Sequence, residues 1–105
     1  MLIGNIMNFK EADTRAHMLI SEKDGAKLLI VGLHVVPPRG EIRPHIHPDQ
    51  ELAYIIINGK GLVTVGNEQA NVSENDVIWI PLKTNHGVKN IGEDELRYIF
   101  AGWAV

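Results

Sequence analysis

Short runs of alternating apolar and polar residues recur along the whole chain, and Gly, Pro, Asn and Asp interrupt them at short intervals. Alternation with a period of two is typical of β-strands that bury one face, and the interruptions are typical of tight turns. No stretch keeps a helical period over a useful length. The sequence therefore predicts an all-β fold, either a barrel or a sandwich.

Individual strands can be placed from these patterns. Ala16 to Ile20 and Ala26 to Val36 predict two strands, which a turn at Asp24-Gly25 would join as a hairpin. Leu52 to Ile57 is a continuous apolar run, typical of a strand that is covered on both faces, and Asn58-Gly59 predicts a second hairpin. Further strands are predicted at residues 61–65, 69–72, 77–81 and 96–101.

The length of 105 residues fits one domain with its own core. We assign residues 1–105 to this domain, with N-terminal strands or an arm at 1–25 and the core at 37–101. A formal charge of -3 offers no basic excess for a phosphate backbone, and no apolar run reaches the roughly 20 residues of a membrane helix. The start of the chain lacks the pattern of a secretion signal. We therefore expect a cytoplasmic protein that binds neither nucleic acid nor a membrane.

The segment from Pro44 to Glu51 reads Pro-His-Ile-His-Pro-Asp-Gln-Glu. His45 and His47 are two positions apart, so on a strand both imidazoles point to one face. Glu51 lies at an even offset from both, and its carboxylate returns to that face if the strand resumes in register after Pro48. Nitrogen and oxygen donors of this kind suit divalent ions of the first transition row. Two exposed histidines at this spacing are also common without a metal, so the rest of the chain decides.

The first histidine segment resembles the first motif of the cupin superfamily, which is a glycine, His-x-His, a glutamate and a second glycine. In this sequence the motif corresponds to Gly40, His45, His47, Glu51 and Gly59.

A second segment resembles the second cupin motif and adds a third histidine. It corresponds to Asn75, Pro81, His86 and Asn90. Together the two motifs span Gly40 to Asn90, and the flanking strands suit the same barrel, so the resemblance covers most of the chain.

Several turn positions depart from the family pattern. Four residues separate Gly40 from His45 where the family usually has five, and Gly59 falls one position late. Asn75 and Lys83 stand where the family has glycines. Asparagine tolerates a positive φ angle, whereas lysine does so poorly. We expect altered loop geometry with the site retained.

The resemblance implies an antiparallel double-stranded β-helix, that is, a jelly-roll barrel. It also implies one divalent transition metal ion, whether manganese, iron, nickel or zinc, bound by His45, His47, Glu51 and His86. One or two positions of an octahedral ion would stay open to water or to a substrate oxygen.

The resemblance leaves the reaction open among dioxygenases, decarboxylases, isomerases, lyases and non-catalytic binders. We expect a metal-dependent enzyme, of oxygenase or of isomerase or lyase type, acting on a small oxygenated molecule that chelates the metal. The alternative is a cupin that binds a small ligand or metal as a sensor or accessory protein without turnover. A purely structural zinc barrel is a third reading. Glu51 or a metal-bound water would carry proton transfer, and Glu51 is the candidate catalytic residue.

Arg43 has the same parity as His45. It would either bind a substrate carboxylate through its guanidinium group or lie at the solvated rim.

The remaining polar and aromatic residues have simpler interpretations. His17 and His34 lie outside both motifs and are expected to be surface histidines or histidines with hydrogen-bond partners on a strand. Asn90 is expected to make hydrogen bonds near a strand end, and Tyr54 and Trp79 to pack. A homodimer is also expected, because the N-terminal strands would otherwise leave a sheet edge unpaired.

Overall fold

The computed structural model describes residues 15–104, and residues 1–14 of the expected N-terminal arm lie outside the described residues. The described chain contains strands and one short 3-10 helix at Glu22–Asp24. The strands, in chain order, are β1 (Arg15–Ile20), β2 (Leu29–Val36), β3 (Glu41–His45), β4 (Gln50–Asn58), β5 (Lys60–Val65), β6 (Glu68–Ser73), β7 (Val77–Ile80), β8 (His86–Asn90) and β9 (Leu96–Ala104). Among these residues, none forms a helix with the length and apolar character that a membrane crossing requires.

The strands form two antiparallel sheets. One sheet has the order β1-β2-β9-β4-β7, and the other has the order β3-β8-β5-β6. Consecutive strands therefore often belong to opposite sheets, as they do in a jelly roll. The predicted all-β double-stranded β-helix is confirmed.

The hydrophobic core lies between the two sheets and receives side chains from both. In β9 the alternate residues Leu96, Tyr98 and Phe100 are buried, as the period-two pattern predicts. Val63 of β5 and Val88 of β8 meet them from the other sheet. This packing fixes which face of each strand points inward.

The inner face of β4 consists of Leu52, Tyr54 and Ile56, which are all buried. Ile55 lies on the outer face and is 38% exposed. The continuous apolar run had predicted a strand covered on both faces. In the described structure only the inner face of β4 is fully buried.

β1 and β2 pair antiparallel, as the predicted hairpin requires, but the connection between them is longer than a tight turn. Glu22–Asp24 forms a 3-10 helix, with Ser21 as its N-cap in a capping box with Asp24, and Gly25 ends it at a φ of 95°. β2 accordingly begins at Leu29, three residues later than predicted.

The two turns in which another residue replaces the glycine of the family motif keep the backbone conformation that a glycine would adopt. Asn75 has a φ of 75° and Lys83 a φ of 55°, both in the left-handed region. The turn that contains Lys83 therefore forms although lysine is an unfavourable residue there.

Candidate metal centre

Three histidines converge at one end of the barrel. His45 ends β3 and His86 begins β8, and the two are direct partners across the strands. His47 lies in the connection to β4. One donor nitrogen from each ring lies within 4.8 Å of the other two. The structure thus brings together three of the four residues that the sequence predicted as ligands.

The backbone orients two of these rings. His45 Nδ1 lies 2.8 Å from the carbonyl oxygen of Arg43, and His86 Nδ1 lies 2.9 Å from that of Thr84. A carbonyl can only accept a hydrogen bond, so each Nδ1 carries the proton and each Nε2 of the neutral ring keeps its lone pair. A hydrogen bond from the other ring nitrogen to a backbone carbonyl is typical of metal-binding histidines.

The Nε2 atoms fit a cation. His86 is 1% exposed, and its Nε2 is buried without a hydrogen-bond partner. His45 Nε2 and His47 Nε2 are 2.9 Å apart. Two nitrogens about 2.1 Å from one ion are about 3.0 Å apart at a right angle and about 3.4 Å apart at a tetrahedral angle. The separation therefore matches two neighbouring corners of an octahedron.

The electrostatics of the site favour neutral imidazoles. Burial lowers the pKa of His86, the Thr84 carbonyl opposes this shift, and the neighbouring His45 and His47 add to it. Burial also lowers the pKa of His47, with a further contribution from His45 and an opposing one from Asp49. Since a metal binds the neutral ring, both shifts favour ligation.

The structure does not bring Glu51 to the three histidines. Glu51 lies on the outer face of β4, and its Oε2 accepts a hydrogen bond of 2.9 Å from Trp79 Nε1. Trp79 is 64% exposed, so it lies on that outer face and does not pack in the core as expected. Proton transfer in the cavity by Glu51 has no support from this geometry.

The position of Glu51 follows from the register of β4. The even offset from His47 carries over only if the chain keeps strand geometry through Pro48 and Asp49, and these two residues form a turn. At the C-terminal end of β4, Gly59 lies one residue later than the glycine that closes the family motif. Because a shift of one residue moves every side chain to the opposite face, this extra residue places Glu51 outside.

A small cavity of about 230 Å³ adjoins His47. It is lined by Met18, Ile30, His34, His47, Gln50, Leu52, Tyr54 and Phe100. Gln50 is two positions before Leu52 and shares the inner face of β4 with it. Sequence reasoning missed Gln50, although its parity with the buried residues Leu52 and Tyr54 was a usable signal.

His34 faces inward and has a hydrogen-bond partner. Of the two predicted interpretations, a surface histidine or a strand histidine with a partner, the second therefore applies. Its Nδ1 lies 2.7 Å from the hydroxyl of Tyr98. Burial lowers the pKa of His34 to about 4, with smaller contributions from the other histidines. Tyr54, the expected packing residue, is buried, and its ring lies 4.5 Å from that of Tyr98 between centroids.

Arg43 has an exposed side chain, and its contact with the histidines is through its backbone carbonyl. This exposure agrees with a position at the rim, and the binding of a substrate carboxylate by Arg43 stays a prediction.

Comparison with known proteins supports this architecture. A family model described as the cupin domain matches residues 32–102. An uncharacterized protein of Methanocaldococcus jannaschii is 38% identical over 65 residues, which cover 62% of this chain and 52% of that protein. The chain spans about half the length of the curated relatives that it matches first.

Solved structures show the same fold at low identity. A protein of Thermus thermophilus has a TM-score of 0.86 at 17% identity, with 99% of this chain and 98% of that chain covered. A predicted oxalate decarboxylase of Thermotoga maritima has a TM-score of 0.77 at 20% identity, with 86% and 79% covered. Since the family model spans most of the described strands and both histidine segments, this chain belongs to the cupin family.

Proposed function

We propose that this protein is a metal-dependent enzyme, either an oxygenase such as a dioxygenase or an isomerase. Its substrate would be a small oxygenated molecule that chelates the metal. The observation that carries the proposal is the convergence of three imidazoles, with oriented donor nitrogens, beside a small cavity. His45, His47 and His86 would hold one divalent ion, whether manganese, iron, nickel or zinc. Such an ion polarises a bound oxygen and lowers the pKa of bound water.

The charge of the site suggests the class of substrate. The three imidazoles are neutral donors, so they leave the charge of a divalent ion uncompensated. A chelating anion, such as a carboxylate next to a hydroxyl or carbonyl oxygen, neutralises this charge and fills the open positions of an octahedral ion.

The cavity limits the size of the substrate. At roughly 30 Å³ per water, its volume of about 230 Å³ corresponds to about eight water molecules. Met18, Ile30, Leu52 and Phe100 supply apolar walls. Gly32 makes room for Phe100, because a Cβ at this position would overlap the Phe100 ring.

Two proteins with similar folds have names that concern small carboxylates. One is the predicted oxalate decarboxylase, and the other is an oxalate oxidase in complex with the substrate analogue glycolate, at 20% identity and a TM-score of 0.69. Small dicarboxylates and hydroxy acids are therefore the first compounds to test.

The test begins with elemental analysis of protein purified without added metal. Metal-free protein is then reloaded with manganese, iron or nickel and incubated in air with oxalate, glycolate, other hydroxy and keto acids, diketones and sugars. We expect oxygen uptake or a product with at least one compound, and none with the His47→Ala variant. If every loaded form is inactive across the panel, the enzymatic proposal is rejected.

A second candidate function is the binding of a small ligand or metal without turnover, as in a sensor or accessory protein. It is favoured by one observation: among the described residues, no carboxylate joins the three histidines. Saturable binding of a panel compound to the metal-loaded protein, without product or oxygen uptake, would support this function.

A further inference from the structure

We propose that Gln50, and not Glu51, supplies the fourth protein donor to the metal, through its carboxamide oxygen. This inference rests on the metal centre of the proposed function and names a ligand that the sequence motif does not assign. It follows from the face of β4 on which each of the two residues lies.

Gln50 is on the inner face. It begins β4 and precedes the buried residues Leu52 and Tyr54 by two and four positions, which is the spacing of side chains on one face of a strand. It lines the same cavity as His47. Its side chain is partly buried, and it follows directly the Pro48-Asp49 turn that separates it from His47.

Glu51 is held on the outer face by two features. Trp79 donates a hydrogen bond to its carboxylate. On β9, Gly102 allows the backbone of β4 to approach closely, because a Cβ at this position would overlap the Glu51 carbonyl oxygen. To turn Glu51 inward, β4 would have to slip by one residue, and the slip would expose Leu52 and Tyr54.

The donor set that results is three imidazoles and one amide, all of them neutral. An amide oxygen is a hard donor, suited to manganese or iron, but it brings no negative charge. The bound ion would therefore keep its full charge for an anionic substrate. A carboxylate in the same place would bind the ion more tightly and neutralise part of that charge.

The experiment compares matched substitutions at the two neighbouring positions. Mn²⁺ affinity is measured by calorimetry, and the visible spectrum of the Co²⁺-loaded protein reports the ligand set. We expect Gln50→Leu to weaken Mn²⁺ binding by about tenfold or more and to change the Co²⁺ spectrum. Gln50→Glu should strengthen binding. Glu51→Leu, the matched control, should leave affinity within about twofold and the spectrum unchanged.

Other results would overturn the inference. If Glu51→Leu weakens binding and Gln50→Leu does not, Glu51 is the ligand and the register of β4 differs from the one described. If neither substitution matters while His47→Ala abolishes binding, the three histidines hold the ion alone, which rejects the role of Gln50 but leaves the metal centre standing. If His47→Ala binds Mn²⁺ as well as the unchanged protein does, the metal centre itself is rejected. Thermal unfolding of each variant confirms that it is folded.

Discussion

Asn90 uses its carboxamide to join three parts of the backbone at the end of β8. Its Nδ2 donates to the carbonyl oxygens of Val36, at 2.9 Å, and Asp94, at 2.8 Å, and its Oδ1 accepts from the Gly92 amide at 2.9 Å. The side chain is 2% exposed. The predicted role of Asn90 in hydrogen bonding near a strand end is confirmed.

The Asn90→Ala substitution removes these bonds without a replacement. We expect it to lower the free energy of unfolding by about 2–4 kcal/mol, because buried partners are left unsatisfied. Urea unfolding measures this change. Asn71→Ala, at an exposed position of β6, is the control and should change stability little. Equal effects of the two substitutions would contradict the structural role of Asn90.

His34 makes stability depend on pH. Its pKa is about 4 in the folded protein against an ordinary value of 6.5, so the unfolded chain takes up this proton at a higher pH than the folded chain does. Stability is therefore fully retained above pH 6.5 and is lost as the pH falls towards 4. The loss attributable to this residue is about 3 kcal/mol.

Urea unfolding between pH 7 and 4, with a chelator present to remove metal, measures this dependence. The His34→Gln variant does not titrate at this position, so its stability should fall less steeply with decreasing pH than that of the unchanged protein. Parallel curves for the two proteins would show that His34 is not the group responsible.

At the level of the secondary structure elements, the turn between β7 and β8 positions His86. Lys83 adopts a left-handed conformation in this turn. Such a conformation destabilises the folded state by roughly 1–2 kcal/mol when the residue is not glycine. A glycine removes this cost, but it also makes the unfolded chain more flexible, which offsets part of the gain.

We therefore expect Lys83→Gly to raise the free energy of unfolding by about 0.5–1 kcal/mol. The neighbouring Leu82→Gly is the matched control, since Leu82 has no positive φ, and it should destabilise the protein. Chemical denaturation of both variants measures the difference. A destabilised Lys83→Gly variant would show that the lysine side chain contributes more than its backbone strain costs.

The elements also show how far the sequence determines the site. Strands such as β5 and β9 were predictable because alternation and turn residues are local signals. The three histidines were predictable as ligands because two separate motifs matched. The face of Glu51 was not predictable by counting from His47, because the turn at Pro48 breaks the register. The environment of His34 depends on Tyr98, 64 positions away, and no local pattern reports such a contact.

On the scale of the whole molecule, the metal centre joins segments that are distant in sequence. His45 and His86 lie on neighbouring strands, and His47 lies in the connection that crosses to the other sheet. An ion that binds only the folded arrangement stabilises it by mass action.

We expect Mn²⁺, at a free concentration about 100 times its dissociation constant, to raise the free energy of unfolding by about 3 kcal/mol. Thermal or urea unfolding with and without the ion measures the gain. The His47→Ala variant should show little or none of it. An equal gain in the variant would place the stabilising ion elsewhere on the protein.

The homodimer predicted from the sequence stays a prediction at this scale. In the described structure β1 is the edge strand of the larger sheet, and edge strands are generally paired or covered. Light scattering combined with size-exclusion chromatography should give twice the chain mass of 11.7 kDa. A strictly monomeric mass over the accessible concentration range would refute the dimer.

The hydrogen bond between Trp79 and Glu51 has a consequence for spectroscopy. The two tryptophans of the chain, Trp79 and Trp103, are both at least half exposed, and Glu51 is the hydrogen-bonded neighbour of one and the cross-strand partner of the other. Intrinsic tryptophan emission should therefore report the coverage of the outer surface near Glu51. Covering the indoles by a second protein copy should shift the emission maximum, while filling the cavity beside His47 should leave it nearly constant.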